Sequence, residues 1–362
     1  MTYSKLLTSL SGALLAATTL AGGAAQAAVI DSVSVFATAP TGATRPDSIT
    51  VGGGSVFIAY AGGTNARTGA GTTTIQQYSS SGAVQNTYGI AGSVDGLKYN
   101  PVSNLVFALQ NQDANSTLSL INPAARTVSG PLSYASPPYV YGAASSRGYD
   151  DVAFRNGQVL LSFTNPASGA DPVIQSLDQG NAPSGTLTVT NVIIAGQEGP
   201  PTPDTDSLKV KPNGDLVQTD SNGGRFITVS NPGTAAQTAT STFITLNGAA
   251  VTSLDDVLFP SAMAGTLYLA DQNNNRVLAL QVSGLDTSQP FVSLDGANQL
   301  VTVSASGVAT PFFTGVGSAV GALASPHGLE FVAAATTAVP EPASLALLGT
   351  GVLGLIARRR RA

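Results

Sequence analysis

No cysteine occurs in this 362-residue chain, so no disulfide stabilises it and no cysteine-ligated zinc site is available. Stability has to come from a buried core, and a segment of roughly 310 residues between the two ends is ample for one. Histidine is nearly absent too: His327 stands alone, which rules out a multi-histidine zinc centre. Charged residues make up only 10% of the chain, against many Gly, Ser, Thr, Asn and Gln, a composition that suits a polar, weakly charged β-protein surface. Several catalytic signatures are missing as well. There is no Gly-x-Ser-x-Gly elbow to partner His327 as a general base. The glycines near Gly52 are not followed by Gly-Lys-Ser/Thr. The Asn/Asp-rich turns beginning at Asn111, Asp220 and Asp271 lack the alternating acids and distal Glu of an EF-hand loop, and read as strand-connecting turns.

What is present begins with two specialised ends. Lys5, the apolar run after it and the triplet Ala25-Gln26-Ala27 follow the order of a secretion signal, so residues 1–27 read as a leader cut after Ala27 by leader peptidase. Residues 338–362 hold Pro340-Glu341-Pro342, an apolar run from Ala343 to Ala357, and Arg358, Arg359, Arg360 and Arg361. As a helix that run reaches roughly 22 Å, a marginal span for an apolar bilayer thickness of about 30 Å. The four arginines would snorkel to the headgroups and keep their end cytoplasmic. A plain membrane anchor would leave Pro-Glu-Pro without a purpose. Setting aside Lys5, Glu341 and the four arginines leaves 10 Lys+Arg against 19 Asp+Glu, a net charge of −9 for residues 28–339. Such a segment is a poor partner for nucleic acid or anionic membrane, and is compatible with cations and neutral glycans.

The three-part order of the C-terminal tail resembles the PEP-CTERM sorting signal of Gram-negative bacteria. The resemblance implies a transient inner-membrane anchor, processing by an exosortase near Pro340-Glu341-Pro342, and delivery to the cell surface or the extracellular matrix.

Between the ends, residues 28–337 are organised by a repeat. Six segments align: PDSITV from Pro46, VDGLKY from Val94, YDDVAF from Tyr149, TDSLKV from Thr205, LDDVLF from Leu254 and PHGLEF from Pro326. Their second positions are Asp47, Asp95, Asp150, Asp206, Asp255 and His327, at intervals of 48, 55, 56, 49 and 72 residues, lengths that fit a four-stranded blade. A second strand follows each of the first five, the fifth being TLYLAD from Thr266. GTLYLADQNNNRVLAL, from Gly265, resembles an NHL-type propeller repeat. The fold expected is therefore all-β: a β-propeller of five or six four-stranded blades, flanked by a signal peptide and a C-terminal transmembrane sorting helix. PHGLEF has no strands after it and DSVSVFATA near Asp31 has no start before it, so the ring is expected to close with strands from both ends. The extra run FVSLDGANQLVTVSA inside the longest interval leaves the blade number open.

In a propeller the second positions ring the channel mouth. Asp47, Asp95, Asp150, Asp206, Asp255 and His327, with Asp151 beside them, are candidates to hold a hard cation such as Ca²⁺, the one cofactor the sequence suggests. The same aspartates also suit local duty, capping turns or accepting backbone N–H bonds between blades, and recurrence in every blade favours that role. His327 reads as a variant of the repeated Asp. A second candidate is the Pro/Gly/Ser-rich stretch carrying Tyr139, Tyr141, Arg147 and Tyr149, fit either for stacking on sugar rings or for covering a blade edge. The function favoured is non-catalytic binding of exopolysaccharide or a surface protein. The competing class is a metal-dependent hydrolase of the lactonase type, and a structural matrix component is the third. The first two are told apart by whether several of the ring residues meet within reach of one ion. The ectodomain also resembles bacterial surface proteins described chiefly by their sorting tag, a likeness that supplies no reaction.

Overall fold

The computed structural model describes residues 28–335, apart from 115, 136–147, 167–170, 195–196 and 198–203. The expected leader with Ala25 and Ala27, the sorting tail from Pro340 to Arg361, and Tyr139, Tyr141 and Arg147 lie outside the described residues. Strand β1 (Val29–Thr38) comes first, followed by four consecutive antiparallel meanders. Blade 1 holds β2 (Pro46–Gly52), β3 (Ser55–Tyr60), β4 (Thr72–Ser79) and β5 (Val84–Ala91). Blade 2 holds β6 (Val94–Asn100), β7 (Leu105–Gln110), β8 (Thr117–Asn122) and β9 (Thr127–Ser133). Blade 3 holds β10 (Tyr149–Arg155), β11 (Gln158–Phe163), β12 (Pro172–Leu177) and β13 (Val189–Ile194). Blade 4 holds β14 (Thr205–Val210), β15 (Leu216–Asp220), β16 (Arg225–Ser230) and β17 (Thr238–Phe243). Each repeat segment opens the innermost strand of its blade.

Local sequence explains these hairpins. The second strand of blade 1, Ser-Val-Phe-Ile-Ala-Tyr, is buried at every position because both faces of a blade meet a neighbouring blade. Asn156-Gly157 joins β10 to β11 with φ of 48° and 82°, the left-handed pair that a two-residue hairpin requires.

Blades 5 and 6 depart from the sequence expectation. A small hairpin of β18 (Thr245–Leu246) and β19 (Ala249–Ala250) precedes β20 (Leu254–Leu258), the inner strand of blade 5. The next strands, β21 (Gly265–Asp271) and β22 (Arg276–Ser283), do not pair with β20. They join blade 6, where β21 pairs with β26 (Pro326–Ala333) and β22 with β1. Blade 5 is instead completed by β23 (Phe291–Leu294), β24 (Gln299–Val303) and β25 (Val308–Phe313), with β18 added parallel to β25. TLYLAD is therefore the second strand of PHGLEF, not of LDDVLF, and the surplus run supplies the missing strands of blade 5. The packing accounts for the exchange: Leu267, Leu269, Leu278 and Leu280 of the crossing hairpin lie with Leu329 and Phe331 of β26 and with Phe291 and Leu300 of blade 5 in one core. Closure by both ends of the chain holds as expected, and the blade number is six.

Six apolar clusters fill the six gaps between neighbouring blades, from the one shared by blades 6 and 1 around to the one shared by blades 5 and 6. Inner strands approach one another closely where the third repeat position is glycine. A Cβ at Gly96 would lie 2.3 Å from the Asp150 carbonyl oxygen, and one at Gly328 would lie 2.2 Å from that of Asp47. Gly96→Ala is therefore expected to cost about 1–3 kcal/mol by forcing two strands apart. Urea unfolding checks this, and a loss below about 0.5 kcal/mol would contradict the close approach.

Candidate functional site

The second residues of the inner strands sit at the end of the channel where those strands begin. Asp95, Asp150 and Asp206 come from blades 2, 3 and 4, and one carboxylate oxygen of each lies within 4.8 Å of the others. Burial makes ionisation expensive here, and the neighbouring carboxylates compound it. Burial first, then the charges of Asp47 and Asp150, push Asp95 well above the ordinary carboxylate range. Asp206 is raised by burial and by Asp255, Asp150 and Asp204. Burial carries Asp150 up to about 7, with Asp204 and Asp113 adding to it while bonds to Asp95 and Thr164 pull the other way. Asp204, beside the mouth, is raised to about 6 by burial and by Asp220 and Asp113.

Carboxylates held this way either keep protons or take up positive charge from outside. The donor set is all hard oxygen, the chemistry that Ca²⁺ or Mg²⁺ selects. Beneath it the channel, lined by Asp47, Asp95, Asp150, Asp206 and Asp255, leaves room for water. The residues fit a hard divalent cation.

The other half of the ring is arranged differently. His327 Nδ1 lies 3.1 Å from Asp255 Oδ1, close enough for an ion pair but without hydrogen-bond alignment. Burial opposes charge on His327, yet Asp255, Asp47 and Asp295 outweigh it and hold its pKa above the ordinary value. Burial raises Asp255 to about 7, with His327 acting against the shift. Asp47 Oδ1 accepts a 2.9 Å bond from Gln272 Nε2, and Gln272 Oε1 in turn accepts two bonds from the Arg45 guanidinium. The ring thus divides into a carboxylate triad, an Asp–His pair and a tethered Asp.

One residue expected at the mouth belongs to a deeper layer. Asp151, in the third repeat position, points at blade 4: its Oδ2 accepts the Leu208 N–H at 2.9 Å and lies 2.8 Å from Lys209 Nζ. Asp256 repeats the device from blade 5, with Oδ2 accepting the Leu329 N–H at 2.7 Å and Oδ1 lying 2.8 Å from the same Lys209 Nζ. Ser207 Oγ also bonds Asp256. Two third-position aspartates, Asp151 and Asp256, thus accept backbone N–H bonds from the next blade. The inner strands are irregular at this point, with register shifts between Tyr149 and Val152 and between Leu254 and Val257, and such bulges re-aim side chains out of the simple alternation of a strand.

Tyr149 is a correction as well. It is fully buried, packs on Phe163 and Tyr134, and donates its hydroxyl to Gln175, so it cannot stack on an external sugar. The Asn/Asp turns act as expected of turns. Asp220 Oδ2 accepts from Arg225 Nε at 2.8 Å, and Asp271 Oδ2 accepts from Arg276 Nε at 2.7 Å. Sequence reading missed Lys209, Asp256 and these two pairs. The shared Asp-x-x-x-x-Arg spacing could have revealed the pairs, whereas nothing local marks Lys209 as the centre of a bridge.

Comparison with known proteins adds one assignment. The PEP-CTERM protein-sorting motif matches residues 338–361, so the chain carries a sorting signal that implies export and exosortase processing at the membrane. No curated protein matches the sequence. Among solved structures, the periplasmic gluconolactonase PpgL of Pseudomonas aeruginosa is 13% identical, with a TM-score of 0.49 over 80% of this chain and 88% of that one. A virginiamycin B lyase from Staphylococcus aureus is 12% identical, with a TM-score of 0.44 over 83% and 93%. A Lactobacillus plantarum protein is 12% identical, with a TM-score of 0.48 over 79% and 88%. Likeness at this level transfers neither substrate nor catalytic residues to this chain.

Proposed function

We propose that this protein is delivered through its sorting signal to the cell surface or extracellular matrix, where it binds polysaccharide or a surface protein through a divalent cation seated on Asp95, Asp150 and Asp206. The observation that carries this reading is the approach of those three carboxylates to within 4.8 Å of one another in an environment that penalises their negative charge. Ca²⁺ takes six to eight oxygen ligands, so three aspartates leave coordination positions for ligand hydroxyls or carboxylates arriving at the mouth. Before release, the apolar run from Ala343 to Ala357 holds the chain in the inner membrane, with Arg358 to Arg361 on the cytoplasmic side. Among the described residues no helix is long and apolar enough to cross a membrane.

Calcium titration of the ectodomain tests the reading. Wild-type protein is expected to bind one Ca²⁺, and Asp95→Asn with Asp206→Asn to bind it at least tenfold more weakly, while the exposed Asp31→Asn change has no effect. Glycan retention should be lost with EDTA in parallel. Equal calcium affinity in wild type and the double variant would refute the site.

The meeting of Asp95, Asp150 and Asp206 within reach of one ion is also the arrangement a metal-dependent hydrolase requires, and with the Asp255–His327 pair beside it supports a second reading, hydrolysis of a lactone or ester. Because its neighbours keep His327 protonated toward neutral pH, it would act as an acid more readily than as a base. Turnover that vanishes in His327→Gln while calcium binding persists would favour this reading over the first.

A further inference from the structure

The closing blade fixes where the chain enters and leaves the propeller. In blade 6, Val29 pairs with Ser283, Val282 with Gly265, and Gly265 with Ala333, so both ends of the described chain lie at the same end of the sheet's strands, on its two edge strands. Three strand spacings separate them, about 14 Å. His327 lies at the opposite end of β26. The leader side and the sorting side of the chain therefore emerge together, on the face opposite the acidic mouth.

The tether on the sorting side is short. The Ala334 N–H still donates to the Ala264 carbonyl at 2.9 Å, so the chain is held to the propeller as far as that residue. Pro340 follows six residues later, a reach of about 20 Å at 3.3–3.6 Å per residue. Turning the propeller over would carry that tether outward past four strands and along a blade edge, a path of about 40 Å at the usual strand spacing and rise. A tether leaving from an innermost strand cannot cover it.

The exit face bears the exposed Val84, Val102, Met263 and Val308, with both signs of charge nearby in Arg126, Lys211, Asp178 and Asp215. The opposite face has its own exposed Phe243 and Val316 and also bears the exposed Arg45 and Arg67, so it is the tether, not charge, that sets the orientation.

From these observations we infer that, while the sorting segment is in the bilayer, the propeller stands on its exit face against the lipid surface, with the acidic mouth turned away from the membrane. The inference rests on the reading of the tail as a membrane anchor. The cation site is then open to extracellular ligand before the chain is released, and the face bearing Val102 and Met263 becomes accessible only afterwards.

The cysteine-free sequence allows a direct test on the full chain with its tail intact, reconstituted into phosphatidylethanolamine–phosphatidylglycerol vesicles. Val102→Cys, Met263→Cys and Val316→Cys place a fluorophore on exposed positions of the exit face, twice, and of the mouth face. The vesicles carry nitroxide lipid as quencher. Quenching at Val102 and Met263 at least threefold stronger than at Val316 is the expected result. Vesicle flotation with equal quenching at all three sites, or stronger quenching at Val316, overturns the orientation while the anchor stands. Failure to float with the vesicles overturns the anchor, and the orientation with it.

Discussion

In the presence of a chelator, the melting temperature of the ectodomain is expected to fall as pH is raised from 5 to 8. Asp150 and Asp255 ionise near 7 in the folded protein, far above the ordinary value of 3.8. A carboxylate whose folded pKa is raised favours the fold while protonated, and that contribution is lost as pH climbs through the folded pKa. His327 acts in the same direction, because its raised pKa means that stability drains away as the imidazolium deprotonates. Asp256 is held below its ordinary range, so its contribution disappears only on acidification and leaves this window untouched. At about 1.4 kcal/mol per pKa unit the loss amounts to several kcal/mol, and the shift to roughly 5–10 °C for a domain of this size. Millimolar Ca²⁺ should restore most of it at pH 8 and little at pH 5, where protons already occupy the site. Scanning calorimetry with EDTA and with Ca²⁺ decides the matter: a curve that stays flat or rises toward pH 8 without metal would show that the mouth carboxylates are not under strain.

Lys209→Met should destabilise the fold by about 3–5 kcal/mol, the usual cost of removing one partner from a buried ion pair. Burial works against the ammonium charge, but Asp151 and Asp256 more than compensate and hold its pKa above the ordinary lysine value. Methionine fills similar space and leaves two carboxylates with side-chain exposures of only 12% and 13% without a counter-charge. Both also accept backbone N–H bonds that join neighbouring inner strands, so repulsion between them strains the links from blade 3 to blade 4 and from blade 5 to blade 6. Adding Asp256→Asn should recover part of the loss, since the amide oxygen can still accept from Leu329 while one charge is gone. Urea denaturation of wild type and both variants gives the comparison. A single-variant loss below 1 kcal/mol would make Lys209 a bystander.

The contrast between the second and third repeat positions shows what the sequence could reveal. Asp47, Asp95, Asp150, Asp206, Asp255 and His327 announce themselves by period, because each performs the same geometric role at the head of an inner strand. The third positions read Ser48, Gly96, Asp151, Ser207, Asp256 and Gly328, and their roles depend on what the neighbouring blade offers. A glycine admits a backbone carbonyl, whereas an aspartate needs Lys209 and a free N–H. The aspartate pairings join residues 47 to 73 positions apart, Gly328 meets Asp47 from the other end of the chain, and none leaves a local trace. The exchange between blades 5 and 6 was half visible: the interval of 72 residues and the surplus run from Phe291 pointed to something extra, but TLYLAD follows LDDVLF at the spacing of an ordinary second strand. Only the pairing of Leu267 with Phe331 distinguishes the two topologies.

That exchange has a consequence for how the protein is made. Export delivers a chain from its N-terminus, and blades 1 to 4 can each be completed as their residues arrive. The last two cannot. Blade 5 waits for Phe313, while β21 and β22 stand with an unfilled inner edge until residues 326–333 appear, and β1, the first strand out, has no partner until Arg276–Ser283 follow. A chain halted before Pro326 would therefore present unpaired strand edges, the kind of surface that recruits other chains into aggregates. The segment that finishes the ring is followed within a few residues by the sorting signal at 338–361, so the order of arrival makes a closed propeller the cargo that reaches the sorting step.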